Sequence, residues 1–335
     1  MKSILNLFLL FVLCLICTLE AQAQSHGDFR TINTGTFSDI TIWETYNAST
    51  SAWQPALMAP NGTSSITIQV GHEVSLDGNV VMSTNKNFTV NGTIICSTFY
   101  LQGTAGCTFA LEAGATLSTG NANGILSTTI ATVRSFSTNL FNSAANYIFN
   151  GSTNQNVNAS NTTFNNLTIQ TTGGASVTLS AGKLLTLNGT LTLSSGVFNM
   201  FGTLTLAGAP MAGTTTNLLT NNNSTLRFVT SQTGQFIPSS VTNLGGLYLD
   251  AGANALVTLN SNLSIANSQG LNLVNGILNC GSFTVSVSSN GAAGGNIGSY
   301  VMGTMLIALP FTTNSMNYVF PVGGATFNPL YISLA

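Results

Sequence analysis

Charge is what this chain has least of. Lys, Arg, Asp and Glu together make up 4% of its 335 residues, against about 25% in an ordinary soluble domain. Six Lys and Arg in all cannot form a stripe that neutralises a phosphate backbone, which excludes nucleic acid as a partner. After Ala113 the charged residues are Arg134, Lys183, Arg227 and Asp250. A glycosidase needs one carboxyl as acid and a second as base or nucleophile, and Asp250 has no acidic companion in that stretch. Both histidines, His26 and His72, precede it, so its many Ser and Thr have no histidine to serve as base. There is no HExxH, P-loop or EF-hand spacing. The chain is therefore not read as an enzyme, and no cofactor is implied. Cysteine is scarce as well. Beyond an N-terminal leader, Cys96, Cys107 and Cys280 remain, with no Cys/His cluster for zinc. Cys96 and Cys107 either bridge a short loop in an oxidising compartment or, like Cys280, serve as small core residues.

Helical periodicity is nearly absent, and one long apolar run exists. Residues 1–23 read as a secretory signal peptide: Lys2 supplies the positive start, an apolar core follows, and Ala21, Gln22 and Ala23 form an A-x-A cleavage site. Asn6 and Glu20 bound that run too tightly for a membrane span, and no later segment is long and apolar enough to be one. A secreted, extracellular or outer-membrane-surface location is expected.

What the chain has in quantity is Thr, Ser and Asn among apolar residues. From about residue 64 short alternating segments, such as Val177, Thr178 and Leu179, recur every seven to ten residues or so, with turn residues between. Asn91-Gly92, Asn150-Gly151, Asn188-Gly189 and Asn275-Gly276 are expected at corners, where both residue types tolerate positive φ. Residues 140–149 are expected as one strand. Residues 167–199 and 247–279 align without a gap at an offset of 80, Leu167 facing Leu247 and Phe198 facing Leu278. Such an internal period points to a repeat architecture. Three short strands per turn give a coil of ~20–27 residues. These features predict an all-β fold, a right-handed parallel β-helix (a solenoid) with an N-terminal cap; an array of β-sandwich modules is the alternative. Scarce charge suits stacked strands. Like charges one strand spacing apart, ~4.8 Å, repel by roughly 0.9 kcal/mol even in water, whereas Thr, Ser and Asn hydrogen-bond along a stack. Thr190, Thr192, Thr203 and Thr205 are expected in outward ladders.

Residues 24–80 hold both tryptophans and most of the acidic residues, and read as the cap. The helix is expected over 81–298, with the internal repeat spanning 147–206 and 227–287, and a C-terminal strand module over 299–335. That module stops inside an alternating strand and is expected to continue into downstream modules of the same polypeptide. Within the cap, His72, Val74 and Leu76 share one face of an alternating strand, and Glu73, Ser75 and Asp77 the other. Glu73 and Asp77 are the weak candidates for a metal or sugar site, against an ordinary role as solvated turn residues. Trp43, Tyr46 and Trp53 are candidate sugar-stacking rings, against a role in the core of the cap.

Several runs resemble known proteins. Tyr147 to Ser152, Phe164 to Ile169, Leu191 to Gly196, and Tyr318 to Gly323 resemble the repeat regions of large secreted or surface, adhesin-like proteins of Bacteroidetes exported by type IX secretion. Trp43, Pro60-Asn61-Gly62 and Val70 to Val74 resemble a G8-like module. The resemblance implies a secreted or cell-surface structural, adhesin-like protein that presents its Thr/Ser/Asn surface to polysaccharide or cell-surface glycans. The alternative is a non-catalytic or accessory part of a polysaccharide-degrading enzyme.

Overall fold

The computed structural model describes residues 24–127, 129–158, 162–288, 292–308 and 316–334; the expected signal peptide lies outside them. The chain is all-β, 50% strand and 2% helix, and winds into a parallel β-solenoid of about 11 turns. This is the expected class, and the sandwich alternative falls because nearly every strand pairs in parallel with the strand one turn away. Tyr147 pairs with Leu167, which pairs with Leu191, so a turn takes 20 and then 24 residues there. That length is three short strands and their corners.

Alternation builds the core. In Leu167–Gln170 and Leu191–Ser195, Leu167, Ile169, Leu191 and Leu193 point inward at 0% exposure, while Thr168 and Thr192 stay half-buried outside. The same phase holds on every face. Ile66, Phe88 and Phe109 stack in register on one, with Phe88 and Phe109 rings 6.2 Å apart. Val177, Phe198 and Leu218 stack on another. Each buried Leu or Phe removes enough apolar surface to contribute about 1.5–3 kcal/mol, which is how a narrow coil offsets the ordering of its chain.

On the outward side of the strands neutral side chains stack along the axis, although Thr205 is itself covered, at 7% exposure. Thr168 faces Thr192, and Thr186 faces Thr205. At a corner the amides of Asn165 and Asn166 both donate to Asn146 Oδ1, at 3.0 and 2.9 Å, and Asn166 Oδ1 accepts the Thr190 amide at 2.7 Å. Thr192, Thr203 and Thr205 lie in strands, whereas Thr190 sits at this corner.

Three details differ from the sequence reading. Positive φ is not what most Asn-Gly corners require. Gly276 has a φ of 110°, but Gly92 does not; a Cβ there would lie 2.3 Å from both the Gln69 and His72 carbonyl oxygens of the preceding turn. Close approach of successive turns selects glycine at that corner. Residues 140–149 fall in two strands, Thr138–Phe141 and Asn146–Phe149. Between them the Asn142 side chain accepts from the Ala144 amide at 2.9 Å, turning the chain. Finally, residues related by the 80-residue offset occupy different faces. Leu167 lies in the sheet of Leu191, whereas Leu247 pairs with Leu226 in the sheet that begins at Thr162–Phe164. The sequence repeat is one of strand and corner, and because every face uses the same alternation it need not return to the same face.

Solenoid pairing begins at Phe29–Thr31, which runs parallel to Ile66–Ile68. The hairpin Trp43–Asn47 and Ala52–Pro55 is laid antiparallel on its other edge, so the terminal backbone of the first turn is paired. Toward the C-terminus, Val322–Gly323 still joins the solenoid through Val301 and Met302. Met316–Phe320 and Leu330–Leu334 pair antiparallel in a sheet of their own. Cys96, Cys107 and Cys280 are all buried and free, in the core role. Among the described residues no helix is long and apolar enough to cross a membrane.

Candidate functional site

The hairpin flanks a polar groove on the first turns of the solenoid, to which it contributes Trp53. In Phe29–Thr31, Phe29 and Thr31 turn inward, which leaves Arg30 outward. Arg30 faces Thr67 on one side and Glu44 on the other. Its Nη2 and Nε both donate to Glu44 Oε2, at 2.8 and 3.0 Å. The return strand places Trp53 opposite Tyr46, and the guanidinium carbon of Arg30 sits 4.3 Å from the Trp53 ring centre. Tyr46 meets Trp53 edge-on, with centroids 5.4 Å apart. Ion pair and cation–π stack each contribute under about 1 kcal/mol at such partly exposed sites. Their effect is to fix the indole while leaving it half-exposed.

A groove of about 440 Å³ opens beside this stack, lined by Asp28, Arg30, Trp53, Thr67, Gln69 and Lys86 among others. Asp28 is occupied: its oxygens accept the Ser25 amide at 2.7 Å and the Ser65 amide at 3.2 Å. Arg30 is neutralised by Glu44. Lys86 has no carboxylate within ion-pair distance among the described residues, and its charge is balanced within the groove only at longer range, by Asp28. The groove thus offers one aromatic ring, several hydroxyl and amide groups, and one cation and one carboxylate outside the ion pair, with no net charge.

The three aromatic candidates separate. Trp43 is 1% exposed, packs edge-on against Phe29 and Phe37, and donates its Nε1 hydrogen to the Phe37 carbonyl at 3.0 Å. It belongs to the core and can touch no ligand. Tyr46 supports Trp53, and Trp53 lines the groove.

The acidic candidates lie elsewhere. Glu73, Ser75 and Asp77 do face outward while Val74 and Leu76 face in. Glu73 is exposed, and its amide donates to Thr34 Oγ1 at 2.9 Å. Asp77 Oδ2 accepts the Ser38 hydroxyl. His72 is half-buried with Nδ1 2.8 Å from Thr31 Oγ1. No group of three His, Cys, Asp or Glu side chains is placed to hold a metal ion among the described residues. Perturbed titrations lie away from the groove: burial pushes the Cys96 thiol and the Tyr147 hydroxyl up, and Cys280 up to about 11. In an exposed turn, the hydroxyl and amide of Thr41 hold the Asp39 carboxyl below its usual range.

Sequence reading did not find Arg30 or Lys86. The signal available was the alternation of Phe29, Arg30 and Thr31, which sets Arg30 outward; its meeting with Trp53 depends on a hairpin return. No family model matches the chain, and no curated protein or solved structure matches it.

Proposed function

We propose that the chain is a secreted or cell-surface, adhesin-like solenoid that contacts glycans. The observation that carries this reading is the groove in which a half-exposed, braced Trp53 stands among hydrogen-bonding side chains, most of them neutral hydroxyls and amides. Sugar rings present C–H faces that stack on such a ring, and hydroxyls that pair with amides and hydroxyls. The long outward surface of Thr, Ser and Asn extends that chemistry along the coil, with little charge to bind ions indiscriminately. Support for the location comes from the leader of residues 1–23.

The test is to produce the full chain in cells, strip intact cells with protease, and measure their attachment to polysaccharide-coated surfaces. Loss of the chain on stripping and weaker attachment with Trp53→Ala are expected. Full protection from protease refutes surface display, and attachment unaffected by the substitution refutes the role of the groove. Release of new reducing ends by the purified chain would favour the accessory-enzyme reading instead.

A further inference from the structure

We propose that Arg227 and Tyr248 form an anion-reading subsite, which takes a carboxylate or sulfate group of an acidic polysaccharide lying along the solenoid axis. The proposal rests on the glycan-contact reading above and adds a ligand class and a second place of contact.

In Thr225–Phe228, Leu226 and Phe228 are fully buried, which turns Arg227 outward. Register sets Arg227 directly opposite Tyr248 on the next turn, and Tyr248 opposite Asn272 on the one after. The guanidinium carbon lies 4.3 Å from the Tyr248 ring centre. Beside the stack is a cavity of about 120 Å³ bordered by Thr225, Arg227, Gly246, Leu247, Tyr248 and Asn272. Gly246 contributes no side chain to fill it.

All three arginines of the described chain stack on aromatic rings, and comparing them isolates Arg227. Arg30 spends its donors on Glu44. Arg134, over Tyr100, gives Nη1 to the Thr129 carbonyl at 2.8 Å. Arg227 has neither a carboxylate in ion-pair distance nor a carbonyl partner among the described residues; its Nε, like that of Arg134, is buried without a hydrogen-bond partner. The one acidic residue beyond Glu112, Asp250, accepts the Asn275 amide at 2.7 Å. A guanidinium has five donors in a rigid fork matched to planar anions. One flattened on a ring, with its Nε covered and its Nη groups unspent, is pre-set for an end-on bidentate contact through Nη1 and Nη2.

The geometry of the face favours a polysaccharide as the source of the anion. Successive turns stand ~4.8 Å apart, close to the length of one sugar ring, so a sugar chain along the axis meets one side chain per turn. Thr205, the preceding position, is only 7% exposed, so the accessible polar track starts at Arg227 and runs through Tyr248 to Asn272. Nucleic acid does not fit a chain with six Lys and Arg in all.

The test uses the full purified chain and calorimetric titration with four probes: polygalacturonate, the same polymer fully methyl-esterified, dextran sulfate and dextran. Tighter binding of at least one acidic polymer than of its neutral counterpart is expected. Arg227→Gln should weaken the acidic polymer at least tenfold and leave neutral-polymer binding unchanged. Arg227→Lys, which keeps the charge but loses the fork, should fall between. Which of the two acidic polymers responds identifies carboxylate or sulfate as the group read. Urea unfolding midpoints matching the wild type exclude misfolding, and the Lys variant carries the test if the Gln variant fails to fold. Acidic-polymer binding unchanged in both variants, or equal affinity for acidic and neutral polymers, overturns the subsite but spares the glycan-contact reading. Failure of the wild-type chain to bind any of the four polymers overturns the subsite; failure extended to a broader glycan panel overturns the reading as well.

Discussion

Carboxylates placed on two neighbouring turns should destabilise the solenoid by more than the sum of their separate effects. Thr168 and Thr192 face each other in parallel register, both half-buried and both flanked by fully buried leucines and isoleucine. Thr168→Glu and Thr192→Glu would set two negative charges about 4.8 Å apart. Their repulsion is about 0.9 kcal/mol in bulk water and about 3.5 kcal/mol at the effective dielectric of a protein surface. A coupling of about 1–3.5 kcal/mol is therefore expected in a double-mutant cycle, measured by urea unfolding at pH 7 and low salt. Each folded-state carboxyl in the pair is raised in pKa by the other. The penalty is thus present above that range and disappears as pH falls and both protonate. Salt should shrink it, and Thr168→Glu with Thr192→Lys should turn the coupling favourable, by about 0.2–1 kcal/mol. Additive single effects at low salt, within about 0.5 kcal/mol, would refute both the register and the reason given for scarce charge.

Phe198→Ala removes a fully buried ring between Val177 and Leu218 and should cost about 3–5 kcal/mol by denaturant unfolding. Trp43→Ala should cost a similar amount, because Trp43 is core, whereas Trp53→Ala, at the half-exposed position, should cost under about 2 kcal/mol. Gly92→Ala forces a methyl against two carbonyl oxygens at 2.3 Å and should destabilise by about 1–3 kcal/mol, against a near-neutral result if the corner were open. Burial raises the Cys96 and Cys280 thiols, the second to about 11. A thiol reagent at pH 8 should therefore label neither in the folded chain and both after denaturation, as read by mass spectrometry.

The fold was legible because alternation and corner residues are local. Leu191, Leu193 and Phe198 declare their inward phase within a few residues, and Asn-Gly steps mark where a strand must end. The reason for glycine at a corner was not local: Gly92 answers to carbonyls of the preceding turn, which no neighbouring residue announces. The 80-residue alignment likewise recorded equivalent strands rather than equivalent faces, since Leu167 and Leu247 obey the same alternation in different sheets. At the candidate site, sequence raised Trp43, Tyr46 and Trp53 together. Only the hairpin register tells them apart, burying Trp43 and leaving Trp53 against Arg30. Arg227 and Tyr248 are similarly unremarked in sequence, because their contact is made by stacking of turns.

Glycan contact is measured most directly by applying the labelled full chain to an array of neutral and acidic polysaccharides, with Trp53→Ala alongside. Retention of the wild-type chain on a defined subset, and its loss or clear reduction with Trp53→Ala, is expected. A folded chain retained by no polysaccharide on the array contradicts glycan contact and leaves the solenoid as a spacer.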